Sequence, residues 1–397
     1  MSLHSSHAAL PGLAIVANCL TPYRIHLHEL IAAGIPELKV HTLVTHDDAD
    51  FKWEIDAPAV INVSYFGRKG DSPLAGPFSK PCYEWRKGKR LIRYLAANGV
   101  TAVICNSYRY LSYLRVIRHC HRTGLPIFVN NDSNLRSEPE MSAAKAWAKR
   151  HIYKWWLTRV TGVMPMGGLG ERFFLKYGAN ARRFYRVPYT PDYEGFAAID
   201  AERVERFCRR LGLNRERRYL LFSGRLAQVK RVDLLIDAFA KLAADRPNWD
   251  LIVAGDGPLR DDLQRRVPEG LRLRVVWTGF LEQIDLKLAY QAADVLVLPS
   301  DHEPWAVVVQ EAMAAGLVVV ASDVVGAAHE LIEDQISGRI FQRSDVNSLR
   351  KAILDVTDNE KLARYKDSSG LALAAWRART DAVGETRRAL VDAGVLG

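Results

Sequence analysis

Residues 295–322 read VLVLPSDHEPWAVVVQEAMAAGLVVVAS, in which two short apolar runs flank a longer segment. Val295–Pro299 and Val318–Ser322 have the length and the β-branched residues of buried strands, and Ala306–Ala315 is long enough for a helix. Two consecutive strands that are joined by a helix pair in parallel within one sheet. This stretch therefore predicts an α/β fold built on a parallel sheet.

The same alternation extends upstream through the second half of the chain, residues 191–397. Each expected strand is short and so is each connection, as a doubly wound fold requires. The expected strands are Tyr219–Ser223, Trp249–Ala254 and Leu273–Trp277, and the expected helices are Arg231–Ala244, Leu259–Arg266 and Leu286–Ala292.

The first half, residues 1–190, shows the alternation less clearly. Its expected strands are Leu13–Asn18, Val40–Val44, Ala102–Asn106 and Pro126–Asn130, with a helix at Tyr110–His121. Between the halves, residues 187–192 read VPYTPD, and two prolines in six residues exclude a regular element. We therefore predict two Rossmann-like domains, 1–190 and 191–375, that face each other across a cleft. A helix within 376–397 is expected to pack back on the first domain.

Length and composition exclude several classes of protein. A chain of 397 residues is too long for one ordinary core, and no apolar run approaches the roughly 20 residues that span a bilayer. Met1–Pro11 lacks the cationic and apolar segments of a secretory signal. The five cysteines are scattered without the spacing of a zinc or redox motif, which predicts reduced thiols and no metal site. We expect a cytoplasmic location, including a peripheral one at the inner face of the cell membrane.

The positive charge is confined to the first half. Residues 1–190 hold 26 Lys/Arg against 13 Asp/Glu, whereas residues 191–397 hold 29 against 32. An anionic partner is expected for such a half: nucleic acid, a membrane surface, or an acidic or phosphorylated substrate. Residues 143–160 mix Trp147, Trp155 and Trp156 with lysines and arginines. This segment fits either a membrane interface or a surface helix that packs its tryptophans inward.

Ligands of open parallel sheets bind beyond the carboxyl ends of the strands, so the loops that follow strands carry the site. After the expected strand Tyr219–Ser223, the guanidinium of Arg225 can bind phosphate oxygens through two N–H groups, and Lys230 supplies a point charge. Two solvated surface cations would give the same sequence pattern. Glycine turns follow the next two strands and leave room for a nucleotide. They contain Gly255 and Gly257 in the first turn, and Gly279 and Phe280 in the second.

The strongest signal lies in residues 300–311. Pro304 is placed where the helix is expected to start, so the N–H groups after it form an anion site. Glu303 precedes the helix and Glu311 lies about two turns inside it, roughly 12 Å away. That separation matches the reach from the sugar of a nucleotide sugar to its ribose. Glu311 stands in an apolar helix, where a carboxylate without a ligand is costly.

Together these loops make residues 219–340 resemble the donor domain of retaining GT-B glycosyltransferases of glycosyltransferase family 4. The resemblance implies that Arg225 and Lys230 hold the diphosphate of a nucleotide sugar, that Glu303 meets the sugar, and that Glu311 binds the ribose. It also implies that Gly326 lies close to the nucleotide, and that neither a metal nor another cofactor is needed. The family commonly has glycine where this chain has Ala306. The expected donor-binding residues are Arg225, Lys230, Gly255, Gly257, Gly279, Phe280, Glu303, Pro304, Trp305, Ala306, Val307 and Glu311.

The first half resembles the family only loosely. Residues 18–24 read NCLTPYR, a variant associated with bacterial surface-polysaccharide enzymes. Asp132 stands near the place of a histidine that many members carry close to the reacting sugar, and it is either a polar partner of the sugar or acceptor, or a helix cap. The expected catalytic residues are Glu303, Arg225, Lys230 and Asp132, and the expected acceptor-binding residues are Tyr23, Arg24, Asn131, Asp132 and Arg136.

The resemblance implies transfer of a hexose-type sugar with retention, in which the leaving phosphate helps to deprotonate the acceptor. We expect a lipid-linked or glycan acceptor in cell-surface polysaccharide synthesis. The alternatives are a soluble small-molecule acceptor, a GT-B epimerase or phosphorylase, and a metal-dependent transferase that uses Asp48-Ala49-Asp50. A basic polyanion-binding protein is the alternative outside the enzymes. Nucleic acid is not an expected partner, because the cations and aromatics form no recognised motif.

Overall fold

The structure, a computed structural model, describes residues 10–46, 53, 57–68, 71, 80–198 and 200–397. Twelve strands in this part of the chain form two six-stranded sheets. The strands of the first sheet are β1 Gly12–Ala17, β2 Lys39–Val44, β3 Val63–Tyr65, β4 Val100–Cys105, β5 Ile127–Asn131 and β6 Gly162–Pro165. Those of the second sheet are β7 Arg218–Ser223, β8 Trp249–Ala254, β9 Val275–Gly279, β10 Val295–Leu298, β11 Val318–Ser322 and β12 Gly338–Phe341.

Both sheets have the same topology. Their strand orders are β3-β2-β1-β4-β5-β6 and β12-β11-β10-β7-β8-β9, and neighbouring strands pair in parallel throughout. In each sheet the chain begins at the centre, builds one edge and then returns to build the other. The order reverses between β1 and β4 and between β7 and β10, which is where such sheets bind ligands. The predicted α/β fold with two doubly wound sheets is confirmed.

Helices cover both faces of each sheet. The helices are α1 Pro22–Gly34, α2 Pro81–Ala97, α3 Leu111–Thr123, α4 Ala143–Leu157, α5 Gly168–Lys176, α6 Tyr193–Ala197, α7 Ala201–Leu211, α8 Val232–Leu242, α9 Arg260–Arg266, α10 Gln283–Gln291, α11 Val307–Ala314, α12 Ala328–Leu331, α13 Val346–Val356, α14 Asn359–Arg379 and α15 Ala382–Asp392. In the first sheet, α2, α3 and α4 cover one face, and α1 with α15 covers the other. None of the helices in the described residues is long and apolar enough to cross a membrane.

Two predicted boundaries are wrong in ways that have physical reasons. The strand expected at Leu273–Trp277 begins only at Val275, because Leu273 belongs to a 3-10 turn and is 98% exposed. The helix expected from Ala306, with Pro304 at its start, begins at Val307. Ala306 has φ 75°, a left-handed conformation that cannot continue into a helix. The strands β3 and β6 are short and were not predicted.

The end of the chain packs on the first sheet. Ala389 and Leu390 of α15 are fully buried in the core that α1 shares with β1. Polar contacts support this packing, since Arg387 pairs with Glu37 and the Tyr185 hydroxyl donates to Asp392 at 3.0 Å. Residues 187–192 form no helix or strand. The domain limits themselves stay a prediction.

Candidate active site

A cavity of about 570 Å³ lies between the two sheets, at the carboxyl ends of their central strands. Its walls on one side come from the loops after β1 and β5, which contribute Tyr23 and Asp132. On the other side, the loops after β7, β8, β9 and β10 form the wall. The predicted donor-binding residues line this cavity except Gly279 and Pro304. The structure therefore brings together loops that are up to about 80 residues apart in the second half.

Close backbone packing explains the glycines in the wall. A Cβ atom at Gly255 would overlap the carbonyl of Gly224, and one at Gly257 would overlap the backbone of Leu226. Gly255 N–H donates to the carbonyl of Gly279 at 2.8 Å, so Gly279 supports the site from behind. The glycines thus let the loops after β7, β8 and β9 lie against one another.

The cations of the cavity differ in their partners. Lys230 forms an ion pair with Glu303, whose side chain is 11% exposed. Ser300 adds a hydroxyl that donates to the same carboxylate at 3.4 Å. Arg225 is exposed and makes no ion pair with any residue that the structure describes. Its guanidinium is therefore available to an anion in the cavity.

The helix α11 begins three residues after Pro304, at Val307. Ala306, Val307 and Val308 at this end of the helix line the cavity. The turn before them is held by Ala327 N–H, which donates to the carbonyl of Trp305 at 2.8 Å. The N–H groups at a helix N-terminus suit an anion, so the anion site stays a prediction at this shifted position.

Gly326 packs against the loop after β10, and its expected closeness to a nucleotide stays a prediction. It does not line the cavity between the sheets. A Cβ atom at this position would overlap the carbonyl of Pro304, and Gly326 N–H donates to the carbonyl of Glu303 at 3.3 Å. Glycine is needed here because the two loops touch through their backbones.

Glu311 is buried at the far end of the cavity. The Tyr290 hydroxyl donates to its carboxylate at 3.1 Å, and burial raises the pKa of Glu311 to about 7. Lys287 opposes this rise only weakly. Hydroxyl donors from a ligand would favour the ionised form and lower the pKa again. Tyr290 was missed from the sequence, because no local pattern ties it to Glu311.

The predicted acceptor residues divide into two groups. Tyr23 and Asp132 line the cavity, and burial raises the pKa of Asp132 while Arg24 lowers it. Arg24 lies beneath the wall, where its guanidinium donates to the Cys19 carbonyl at 2.8 Å and to the Tyr189 hydroxyl at 3.2 Å. It therefore supports Tyr189, which does line the cavity.

The interpretation of Asp132 as a helix cap is wrong, since the next helix is α4 and its N-cap is Ser142. Asn131 accepts hydrogen bonds from Ser133 and so closes a local turn. Arg136 is half exposed and reaches Asp323 at 3.6 Å. Asn131 and Arg136 do not line the cavity.

One aromatic contact was not predicted. Trp53 lines the cavity, and its ring lies 5.0 Å from that of Phe280. The triplet Asp48-Ala49-Asp50 lies outside the described residues. Within the described ranges, no cluster of three or more His, Cys, Asp or Glu is placed to hold a metal ion.

The second half matches a known protein family. Residues 204–370, which contain all six strands of the second sheet, match the family model of glycosyl transferases group 1. The matched range contains the cavity loops after β7, β8, β9 and β10.

Two curated relatives differ in how much of the chain they match. An alpha-D-kanosaminyltransferase of Streptomyces kanamyceticus is 27% identical over 331 residues, which are 81% of this chain and 82% of that protein. An uncharacterised glycosyltransferase of Methanocaldococcus jannaschii is 41% identical over 133 residues. That match covers 33% of this chain and 34% of the relative, so the chain spans about a third of the length of this relative.

Solved structures match this chain over nearly its whole length. Sucrose-phosphate synthase from Thermosynechococcus elongatus has a TM-score of 0.77 at 20% identity, over 96% of this chain and 100% of that one. Anabaena HepE, solved with UDP and glucose, has a TM-score of 0.71 at 17% identity, over 97% and 100%. At these identities the likeness shows the fold alone, which is GT-B. The family match and the curated relatives add support for a glycosyltransferase.

Proposed function

We propose that the chain is a retaining glycosyltransferase of family 4, which transfers a hexose-type sugar from a nucleotide diphosphate sugar. One observation carries the proposal: a single cavity at the reversal point of both sheets holds Arg225, which has no ion pair among the described residues, the Lys230–Glu303 pair and the buried Glu311. Cations, a helix N-terminus and two separated carboxylates in one cavity suit a ligand with a diphosphate between two polyols.

In this proposal the diphosphate lies against Arg225, Lys230 and the N–H groups at the start of α11. The sugar lies near Glu303 and the ribose near Glu311. Because Lys230 pairs with Glu303, a donor that binds both side chains has to replace each of them as the partner of the other. Its phosphate would take the lysine, and the hydroxyls of its sugar would take the glutamate.

The transfer breaks the bond between the anomeric carbon and the phosphate oxygen. A bond from the acceptor oxygen forms on the same face of the sugar, and the acceptor proton passes to the leaving diphosphate. Arg225, Lys230 and the α11 N–H groups stabilise the charge that develops on that diphosphate. We propose that this works without a divalent metal, so activity should survive a chelator.

Two acceptor classes are supported by different observations. A Rhizobium meliloti relative named as a lipopolysaccharide core mannosyltransferase is 32% identical over 170 residues, which are 41% of this chain and 48% of that protein. It supports the lipid-linked or glycan acceptor that we propose. The kanosaminyltransferase relative supports a soluble small-molecule acceptor as the second candidate.

Charge on the first half favours the lipid-linked acceptor. Helix α2 holds five Lys/Arg and α3 holds three, against one acid, the buried Glu84. We call the exposed cations that make no ion pair with another described residue the basic face. They are Arg86, Lys89, Arg90 and Arg93 on α2, and Arg118 and Arg122 on α3. We propose that the basic face docks on an anionic membrane surface.

Helix α4 contributes less than its sequence suggests. Trp156 is fully buried in the first half, and Lys149 pairs with Glu138 at 2.6 Å. The interpretation of residues 143–160 as a surface helix that packs its tryptophans inward is therefore right for Trp156. Trp147 is 65% exposed and remains on the surface.

Product analysis tests the proposed reaction. The protein is incubated with UDP-, GDP- and ADP-hexoses and with lipid-linked or soluble acceptors, and release of nucleoside diphosphate is measured with and without EDTA. We expect acceptor-dependent release that EDTA leaves unchanged, and an anomeric proton coupling in the product that matches the donor. An inverted product would contradict retention, and loss of activity in EDTA that magnesium or manganese restores would contradict metal independence.

A further inference from the structure

A tight turn in the first half, residues 134–137, contacts the loops after β10 and β11 in the second half. The Asn134 side chain is 4% exposed, and its amide nitrogen lies 2.7 Å from the carbonyl oxygen of Pro304, 3.2 Å from that of Glu303 and 3.2 Å from that of Val324. All three acceptors are in the second half. One buried amide thus joins the loop after β10 and the loop after β11 to the loop after β5.

Ser137 completes the contact from the other end of the turn. Its hydroxyl accepts a hydrogen bond from Glu303 N–H at 3.2 Å and donates to the carbonyl of Val324 at 3.1 Å. Its own N–H donates to the side-chain oxygen of Asn134 at 2.7 Å, which fixes the amide with its nitrogen toward the second half. His302 adds a hydrogen bond of 2.8 Å between its Nδ1 and the Ser137 carbonyl.

These contacts hold the backbone of Glu303 on both sides. Ser137 receives its N–H, and Asn134 donates to its carbonyl. Asp132 stands two residues before Asn134 and lines the same cavity as Glu303. The turn therefore fixes the spacing between a carboxylate of the first half and a carboxylate of the second half. Arg225 and Glu311 lie on other segments of the chain, and neither is a hydrogen-bond partner of Asn134 or Ser137.

We propose that Asn134 and Ser137 are positioning residues that set Glu303 against Asp132 for the sugar of the donor. This inference rests on the proposed function, because it takes the sugar to lie between these two carboxylates. It separates two parts of donor recognition. The nucleotide and diphosphate are held by the second half alone, whereas the sugar is held only when the turn joins the two halves.

The test compares Asn134→Ala with the wild type in two measurements: kcat/KM for the nucleotide sugar that serves as donor, and Kd for the matching nucleoside diphosphate. Loss of the amide leaves buried carbonyls without a partner, which costs about tenfold or more. We expect kcat/KM to fall at least tenfold and Kd for the diphosphate to stay within about twofold. Asn98→Ala is the matched control, since its amide contacts only the Tyr94 carbonyl at the end of α2.

Ser137→Ala is the second variant and keeps the test open if Asn134→Ala does not fold. It should also lower kcat/KM for the nucleotide sugar and leave Kd for the diphosphate unchanged. Ser137→Thr, which keeps the hydroxyl, should recover most of the lost kcat/KM. An equal fall in kcat/KM and in diphosphate affinity would overturn the inference, because it would indicate general damage to the fold. The inference would also be overturned if neither quantity changed. If the wild type binds the nucleoside diphosphate, but kcat/KM for the nucleotide sugar is the same in these variants as in the wild type, only this inference fails. If the wild type binds no nucleoside diphosphate, the proposed function fails with it.

Discussion

The two halves of this chain share one sheet topology but use their charged residues differently. In the second half many exposed arginines have acidic partners, as in the pairs of Arg206 with Glu202 and Arg377 with Glu194, whereas Arg225 in the cavity has none among the described residues. In the first half, Arg86 and the rest of the basic face make no ion pair with another described residue. The second half also supplies the cations of the cavity, and the first half supplies Asp132 and aromatic rings. The difference agrees with our proposals that the second half binds the donor and that the basic face of the first half binds an anionic partner.

Lys230→Ala should have the largest effect on activity, because it removes a cation of the second half that we propose to contact the diphosphate of the donor. Loss of one group that stabilises developing charge lowers kcat by roughly 10²–10³-fold. Turnover of the nucleotide sugar measures this, with circular dichroism to confirm the fold. Lys241→Ala removes an exposed lysine of α8 as the control. Wild-type turnover in Lys230→Ala would remove Lys230 from the site.

Charge reversal of the basic face tests whether the first half binds an anionic membrane. Each cation near an anionic membrane is worth about 1 kcal/mol, so Arg86→Glu, Lys89→Glu and Arg93→Glu together should weaken vesicle binding by about 10²-fold or more. Sedimentation with vesicles that contain anionic lipid, at low and high salt, measures the binding. Donor affinity should not change.

The control reverses three exposed cations of the second half that have acidic partners: Arg206, Arg265 and Arg377. These should leave sedimentation nearly unchanged. Equal loss in both triple variants would mean that net charge alone governs binding. A wild type that stays in the supernatant with anionic vesicles at low salt would contradict the membrane surface and favour the soluble acceptor.

Glu311 should make nucleotide affinity depend on pH. Burial raises its pKa to about 7, and ribose hydroxyls that donate to the carboxylate would lower the pKa, so binding should release a proton below pH 7. Affinity should therefore rise with pH toward 7, by up to about tenfold per pH unit, and level off above it. Calorimetric titration of the diphosphate between pH 5.5 and 8.5, roughly the range that brackets this pKa, measures the slope.

Glu311→Gln has the same shape but no proton to release, so its affinity should be weaker and nearly flat across this range. The empty wild type should also lose stability as pH rises from the ordinary glutamate pKa of 4.5 toward 7, since the folded state binds the extra proton there. A slope that persists in Glu311→Gln would assign the titration to another group.

Ala306→Gly should have the smallest effect, on stability. A left-handed alanine costs about 1–2 kcal/mol, and the greater freedom of glycine in the unfolded chain returns part of this. We expect the free energy of unfolding to rise by up to about 1 kcal/mol, measured by urea denaturation. Ala315→Gly is the control, because Ala315 has an ordinary φ of −78°. This variant should lower the free energy of unfolding. A loss of stability in Ala306→Gly would mean that the methyl group makes packing contacts that outweigh the strain.

The second half was easier to predict than the first, for physical reasons. The strands β8 and β11 have the predicted bounds, because buried parallel strands are continuous apolar runs. The donor loops were found because each follows its strand directly. The glycine that the family commonly has at this position agrees with the left-handed conformation of Ala306, but no residue pattern shows that α11 starts one residue later.

The other wall of the cavity depends on contacts between distant segments. Arg24 was predicted to bind the acceptor, and no local pattern shows that it lies beneath Tyr189. Asn134 was missed because its partners are about 170 residues away along the chain. Arg136, two residues further on, was chosen for its charge and lies outside the cavity. Side chains that join the two halves can be identified only once the halves are placed together.

The most direct test of the central claim is thermal unfolding of the protein with UDP-, GDP- and ADP-sugars. A ligand at 100 times its Kd adds about 2.7 kcal/mol to the free energy of unfolding. We predict that the sugars of at least one nucleotide raise the midpoint in the wild type, and that the rise disappears in Lys230→Ala but persists in Lys241→Ala. No shift with any of the three nucleotides, or a shift that is unchanged in Lys230→Ala, would contradict a donor site in the cavity between the two sheets.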